Sequence, residues 1–450
     1  MRIPESPPPF DQLIGLFRSS DAMVAALTSA RPVDRKGRYL HWDEVRRRTP
    51  PDSLTAEQWW AQMSFARRSI RKALPCADSN GEPFVFSNID EIQEAVHRID
   101  QQASGRILAD EVMTSLTSSD RYLVSSLVEE AITSSQLEGA STTRRIAKQM
   151  LQTGRAPRDR SEQMIFNNFE AMQRAEELAR RGADRPLEPA DVLELQEILT
   201  RGTLDNPDDA GHLQAPEDER ISVVWADGTI LHRPPSAEEL PARLDRLCAF
   251  ANGDLDDGFI HPVVRAIVLH FWLAYDHPFA DGNGRTARAL FYWSMIRSGY
   301  WLTQYITISS ILRGAPAQYA RSFLYVETDD NDLTYFITYQ LSVISRSIQS
   351  LEEYLSRKMA ETRELQRHLR GATNLNHRQL TIVNDAIGEP DEPFTVKAQQ
   401  RRHRVSYETA RSDLRGLEAL GLLFSSRDGK KLVYHAVRDL HEQLERLAQR

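Results

Sequence analysis

Residues 261–275 constrain the fold more than any other stretch of this chain. Within VVRAIVLHFWLAY, Val263 to Tyr275, only Arg265 and His270 are polar. A helix apolar on almost every side must run through a core, because no face is left for water to solvate. It needs neighbours of its own kind, and the sequence offers them. Apolar residues recur at three- and four-residue steps over 54–74, 90–115, 120–138, 161–181, 188–201, 238–252, 285–298, 316–327 and 333–366, with few β-branched runs. The expectation is a mainly α fold: a helical core, a helical N-terminal module and a small C-terminal domain. At 450 residues the chain exceeds what one hydrophobic core usually serves, so two or three domains are expected.

Two segments break the helical rhythm. In ISVVWADGTILHRPP, 221–235, β-formers flank Asp227-Gly228, a two-residue hairpin signal. GLLFSSRDGKKLVYHAV, 421–437, repeats the pattern around Asp428-Gly429. The polar run SRKMAETRELQRHLRG followed by ATNLN marks a boundary. The expected division is 1–115 as N-terminal module, with Trp59 and Trp60 as packing anchors, 116–368 as core, and 372–450 as C-terminal domain. The net charge of −8 argues against wholesale non-specific binding of nucleic acid. Two distant cysteines, Cys76 and Cys248, exclude a disulfide framework, match no zinc-ligand spacing and read as buried thiols. The start, MRIPESPPPFDQL, lacks an apolar core of signal-peptide length, and no run reaches the roughly 18 apolar residues of a membrane span. A cytoplasmic protein is expected.

The chemistry gathers where the apolar helix ends, in HPFADGNGRTAR, His277 to Arg288. Glycines on both sides of Asn283 let backbone N–H groups approach a ligand closely. A helix starting behind them adds unpaired N–H groups and a positive dipole end, which together suit phosphate oxygens. Arg285 and Arg288 stand three apart and share a helix face, so two guanidinium forks aim at consecutive phosphates. Asp281 supplies one hard oxygen, and one carboxylate plus substrate phosphates is a usual Mg²⁺ environment. His277 sits on the rim, where an imidazole can take a hydroxyl proton.

This stretch matches every defined position of the signature His-x-Phe-x-(Asp/Glu)-Gly-Asn-Gly-Arg-x-x-Arg, and the chain resembles the Fic family over roughly 120–345. The resemblance implies transfer of AMP from ATP to a Ser, Thr or Tyr hydroxyl of a protein target or of the chain itself, with Mg²⁺. His277 would be the general base and Phe279 a buried anchor. Asp281 would hold the metal, Gly282, Asn283 and Gly284 would form the anion hole, and Arg285 and Arg288 would grip the phosphates. Relatives that phosphorylate instead depart at the second glycine, so Gly284 favours AMP. The hairpin 221–235 falls at the family's target-docking flap, where Val223, Val224, Trp225, Thr229, Ile230 and Leu231 would register an extended peptide by strand addition. One departure stands beside it. The family often has an arginine after Gly-x-(aromatic), whereas AGHLQ offers His212, Leu213 and Gln214. Dimers are common in the family.

Upstream, DRYLVSSLVEEAITSSQLE makes a helix stopped by Gly139. Its Ser134-x-x-x-Glu138-Gly139 resembles the inhibitory motif of autoinhibited Fic proteins, in the class whose inhibitory helix, here 120–139, precedes the core. The resemblance implies that Glu138 pairs with Arg288 and keeps it from the γ-phosphate. Some such relatives also remove AMP. Past the boundary, the order helix, helix, helix, hairpin resembles a winged helix-turn-helix. Ser406 reads as the N-cap of its recognition helix. Arg411, Arg415, Lys430 and Lys431 would be the DNA contacts, with Arg401, Arg402, Arg404 and Arg427 nearby. Glu408, Asp413 and Glu418 offset that charge, and winged helices dock proteins as well as DNA. The rival reading is a nucleotide-sensing, DNA-binding regulator; a pure sensor would need neither His277 nor Asp281.

Overall fold

The computed structural model describes residues 2–16, 24, 28–51, 54–103, 119–181, 185–371, 375–388, 393–428, 431–437 and 439–448. Helices dominate, as the periodicity requires. In chain order they are α1 (Phe10–Ile14), α2 (Trp42–Val45), α3 (Ala56–Arg68), α4 (Asp90–Ala103), α5 (Ser119–Leu137), α6 (Arg144–Thr153), α7 (Arg160–Arg180), α8 (Pro189–Thr200), α9 (Leu240–Asn252), α10 (Pro262–Asp276), α11 (Asn283–Arg297), α12 (Ile308–Gly314), α13 (Pro316–Thr328) and α14 (Thr334–Gly371). There follow α15 (His377–Gly388), α16 (Val396–His403), α17 (Tyr407–Ala419) and α18 (Leu440–Ala448). The strands form antiparallel pairs: β1 (Arg71–Ala77) with β2 (Pro83–Ser87), β3 (Val223–Val224) with β4 (Ile230–His232), and β5 (Leu423–Asp428) with β6 (Lys431–Ala436).

Two compact units result. The larger takes in residues up to 103 and 123–348, so the N-terminal stretch packs into the same body as the core. Its centre is α10. Val263, Val264, Ala266, Ile267, Val268, Leu269, Phe271 and Leu273 are all buried, and α10 packs along α11, which also meets α7 and α8. Each such aliphatic or aromatic side chain contributes about 1.5–3 kcal/mol by leaving water. Pro262 fits the first turn, where no N–H is needed, and His261 accepts from the Val263 amide at 3.3 Å. His270, in mid-helix, is also fully buried. It meets the Tyr319 hydroxyl at 2.9 Å, and burial pushes it down to about 3, so it packs as a neutral ring. Cys76 and Cys248 are buried free thiols.

The N-terminal part is less helical than its periodicity suggests. The stretch 54–74 stops being helix at Arg68, and β1 begins at Arg71. The β1–β2 ladder is short and irregular between Ala73 and Ala77, around Pro75, which cannot donate to a ladder. Within β2, Val85 donates to Asn331 O and its carbonyl accepts from Leu333 N, so the residues just before α14 cover the strand's outer edge. Arg67 ties this region together from full burial. It lies 3.7 Å over the Tyr39 ring and donates to Pro32 O, Leu40 O and the Tyr335 hydroxyl at 2.8, 2.8 and 2.9 Å.

The smaller unit is built mainly on residues 349–448. Its core joins Ile382, Val383 and Ala386 of α15 to Ala410, Leu414 and Leu417 of α17 and to Leu423 and Tyr434 of the hairpin. Phe394, just before α16, pairs with Tyr434 by two backbone bonds of 2.7 and 2.9 Å and adds a short third rung to β5–β6. Ser406 caps α17, accepting from Thr409 N at 3.1 Å.

Candidate active site

Helix α10 ends at Asp276, and His277 caps it in the left-handed region at φ 45° and ψ 53°, its N–H on Leu273 O at 3.0 Å. A non-glycine residue there carries strain on the order of 1–3 kcal/mol, which surrounding bonds must offset. The chain then folds back through a buried Phe279. Asn283 locks the fold-back from both sides: its Oδ1 accepts from Phe279 N at 2.9 Å and its Nδ2 donates to Phe279 O at 2.7 Å. The Asn283 side chain is therefore spent on loop shape, and only its backbone remains for an anion. Gly282, at φ 87°, precedes α11, and a Cβ there would stand 2.9 Å from Thr200 Cγ2. The first amides of α11 open beyond it with no acceptor inside the helix.

The two arginines of this helix differ. Arg285 is fully buried and donates to Leu199 O at 2.9 Å. Its Nη2 lies 3.1 Å from the Asp281 carboxylate, yet neither Nε nor Nη2 has a hydrogen-bond partner. A buried guanidinium short of acceptors suits an anion. Arg288, equally buried, is fully engaged. Its Nε donates to Ser134 Oγ at 2.8 Å, and its Nη2 to Ser134 O at 3.1 Å and Glu138 Oε1 at 2.8 Å. The Glu138 carboxylate also hangs over Gly284: a Cβ on that residue would meet Glu138 Oε1 at 2.2 Å. Asp281 is part-exposed. Its Oδ1 accepts from Gly282 N at 2.6 Å, and Gln196 donates to its carbonyl at 3.0 Å.

Glu138 stands just past α5. The Ala140 amide reaches Ser135 O at 3.0 Å, and Gly139 takes φ 94°, so the glycine ends the helix as the sequence suggests. Asn168 of α7 donates to Ala131 O and Ser135 Oγ at 3.2 and 3.3 Å, which fixes the end of α5 against the core. Sequence reading missed Glu130, about two turns back. It is buried, bonds the Ser309 hydroxyl and, at 3.1 Å, the Ser309 amide, and burial raises its carboxyl while Arg288 opposes this.

Burial, then the nearby His232, push His277 down to about 4, with Glu138 opposing. Asp276, facing inward, accepts from Arg243 Nε and Trp272 Nε1 at 2.9 Å each, and burial pushes it up to about 6. The hairpin of β3 and β4 lies close by. Its Trp225 amide reaches Thr229 O and its Gly228 amide reaches Trp225 O, both at 2.8 Å. The connection is thus three residues, Ala226 to Gly228, one more than the Asp227-Gly228 signal suggests, because Asp227 turns its carboxylate onto the Thr229 amide at 3.0 Å. Val224 and Ile230 are exposed; Val223, Trp225, Thr229 and Leu231 are half-buried. His232 anchors the hairpin. Its Nε2 meets Tyr275 O at 2.7 Å and its Nδ1 meets Glu327 at 2.9 Å.

In the smaller unit, Asp413 does not offset the arginines of α17. It is buried and accepts from Arg378 Nε at 2.6 Å and Asn376 Nδ2 at 2.7 Å. Glu418 accepts from the Ser425 amide at 3.1 Å, and Arg402 pairs with Asp385. Arg411 contacts Glu408 at 3.4 Å, and Arg415 is exposed. Lys430 lies outside the described residues, as does the side chain of Lys431.

Residues 186–295, which hold α10, most of α11 and the glycine-rich cradle between them, match the family described as Fic/DOC. The chain is 35% identical over 92 residues to the protein adenylyltransferase Fic of Culex quinquefasciatus, covering 20% of this chain and 18% of that one. To the protein of the same name from Nematostella vectensis it is 41% identical over 71 residues, 15% of this chain and 16% of the other. It thus spans less than a fifth of the length of either relative. In fold it is similar to a Fic family protein from Desulfovibrio desulfuricans G20, with a TM-score of 0.52 at 18% identity, over 78% of this chain and 97% of that one. Among the described residues no helix is long and apolar enough to cross a membrane.

Proposed function

We propose that the chain transfers AMP from ATP to a hydroxyl of a protein target, or of itself, and is held back by Glu138. The observation that carries this reading is the contrast between the arginines: Arg285 is buried with donors to spare, while Arg288 is taken by a carboxylate standing in the cradle. ATP phosphates would complete the first and compete for the second. His277, neutral at ordinary pH, takes the proton of the target hydroxyl. The freed oxygen attacks the α-phosphorus, the bond to the β-phosphate oxygen breaks, and pyrophosphate leaves. Charge that develops on both groups meets Arg285, Arg288 and the first amides of α11. Asp281, part-exposed and beside Arg285, suits Mg²⁺ shared with phosphate oxygens, which would supply further charge neutralisation. The flap would align an extended target segment through backbone bonds, its exposed Val224 and Ile230 offering side-chain contacts.

The test is incorporation from α-labelled ATP. Glu138→Gly is expected to incorporate label well above wild type. Adding His277→Ala is expected to remove about 10²–10⁴-fold of that rate. Equal incorporation by wild type and Glu138→Gly overturns the inhibitory role. Release of AMP from labelled protein by wild type but not by Glu138→Gly would add the reverse reaction.

A second reading concerns the smaller unit, whose helix order supports a winged-helix assignment. With Asp413 paired to Arg378, the exposed Arg415 would meet DNA phosphates with less opposing charge beside it than the sequence suggests. Salt-dependent retention on duplex DNA that drops on Arg415→Ala supports it; salt-independent retention does not.

A further inference from the structure

The loop that carries His277 is held in place by a residue that belongs to no motif. Arg220 precedes the flap hairpin, and its half-buried guanidinium meets four acceptors from three segments. Nε donates to Pro235 O at 2.8 Å, at the exit of the hairpin. Nη2 donates to Asp276 O at 2.7 Å and His277 O at 3.2 Å, at the end of α10. Nη1 donates to the Gln214 side chain, and the Gln214 amide donates to Pro278 O at 2.9 Å, so the segment AGHLQ closes the ring. Gln214 is thus held by a guanidinium from six residues further on.

The residue type fits the task. The last carbonyls of a helix lack intrahelical donors and carry its negative end, which a cation satisfies. A planar fork can serve several fixed carbonyls at once, whereas a lysine ammonium offers no such preset geometry. His277 occupies a left-handed conformation that side-chain-bearing residues adopt only when neighbours enforce it. The bonds to the carbonyls of residues 276 and 277 do so, and the bond to Pro235 ties the same guanidinium to the hairpin.

We propose that Arg220 is a positioning residue for AMP transfer: it fixes the backbone of His277 and makes the orientation of that base depend on the seating of the flap. The inference rests on the transfer reading for its function. Its charge works in the same direction. The charged and titratable groups acting on the imidazole are His232 from the hairpin, itself on Glu327 of α13, Glu138 beyond α5, and Arg220, while the neighbouring Asp276 carboxylate is taken by Arg243 of α9 and Trp272. Arg220 is among those that lower His277.

The experiment places Arg220→Gln and Arg220→Lys in the full-length Glu138→Gly chain. It reads incorporation from α-labelled ATP, the KM for ATP, and the titration of His277 by NMR of ¹³C-histidine-labelled protein. Arg220→Gln is expected to cut kcat by about 10–100-fold, the size of loss that a small misplacement of a reacting group brings. The KM for ATP stays within about twofold, since the phosphate-facing arginines are untouched. The His277 midpoint rises from about 4. Arg220→Lys, which keeps charge without the fork, is expected to lose rate while holding the midpoint. Unchanged rate and midpoint in a folded Arg220→Gln chain overturn the proposal, as does a rate loss matched by an equal rise in KM for ATP. If Glu138→Gly alone incorporates no label, the transfer reading fails, and the His277 midpoint still decides whether Arg220 sets that residue.

Discussion

At the scale of single residues, the site depends on a histidine that stays uncharged. Its folded value of about 4 lies below the value near 6.5 of an unfolded chain. Above pH 6.5 the ring is neutral in both states. Between 6.5 and 4 only the unfolded chain binds the proton, so stability from this group is lost as pH falls through that window. Asp276, raised to about 6 from an unfolded value near 3.8, runs the other way, its contribution full below 3.8 and lost as pH rises through 6. For activity, the base limb of the kcat profile of Glu138→Gly is expected to stay flat from pH 8 to about 5 and to fall only near 4. A bend near 6.5 would mean an unperturbed imidazole. Most of this site was legible because its groups lie within twelve residues, His277 to Arg288, of one loop. Arg220, Glu130 and His232 were not, since each acts across the fold: Arg220 lies 57 positions from the His277 carbonyl it bonds.

At the scale of elements, α10 could be read from the sequence because an all-apolar helix has one solution, a core. Helix α6 and the β1–β2 hairpin were missed, the first residues of β1 being read as the end of a helix, and both failures are physical. Their hydrophobic patterns are short, and tertiary pairing decides such segments, as residues 331 and 333 do for β2. The hairpin of β3 and β4 lies between these cases: a hairpin was expected there, its three-residue turn was not. That turn makes a test. Gly228 sits at φ 85° with open space around a would-be Cβ, so Gly228→Val acts through the backbone alone, at a cost of about 1–2 kcal/mol. Expected is weaker AMP transfer to protein at an unchanged KM for ATP, read by labelled incorporation at varied ATP. Equal loss in both would mean that the flap serves the nucleotide.

At the scale of the molecule, two units with separate cores are expected to melt as separable bodies. Asp413 offers the handle: Asp413→Ala leaves Arg378 and Asn376 without their shared acceptor at a cost of about 1–3 kcal/mol. Calorimetry should show the transition of the smaller unit falling while that of the larger holds, and a single shifted peak would mean that the two unfold together. Within the larger unit, one bond couples parts far apart in sequence: Arg288 donates to the main-chain carbonyl of Ser134, near the end of α5. A nucleotide that draws this arginine away removes a donor from the helix terminus as well as a partner from Glu138. Binding is reciprocal, so whatever ATP loses by competing with α5, α5 loses in order to ATP. Amide hydrogen exchange over 134–140 is thus a gauge of nucleotide occupancy, speeding up as the site fills, without any target present.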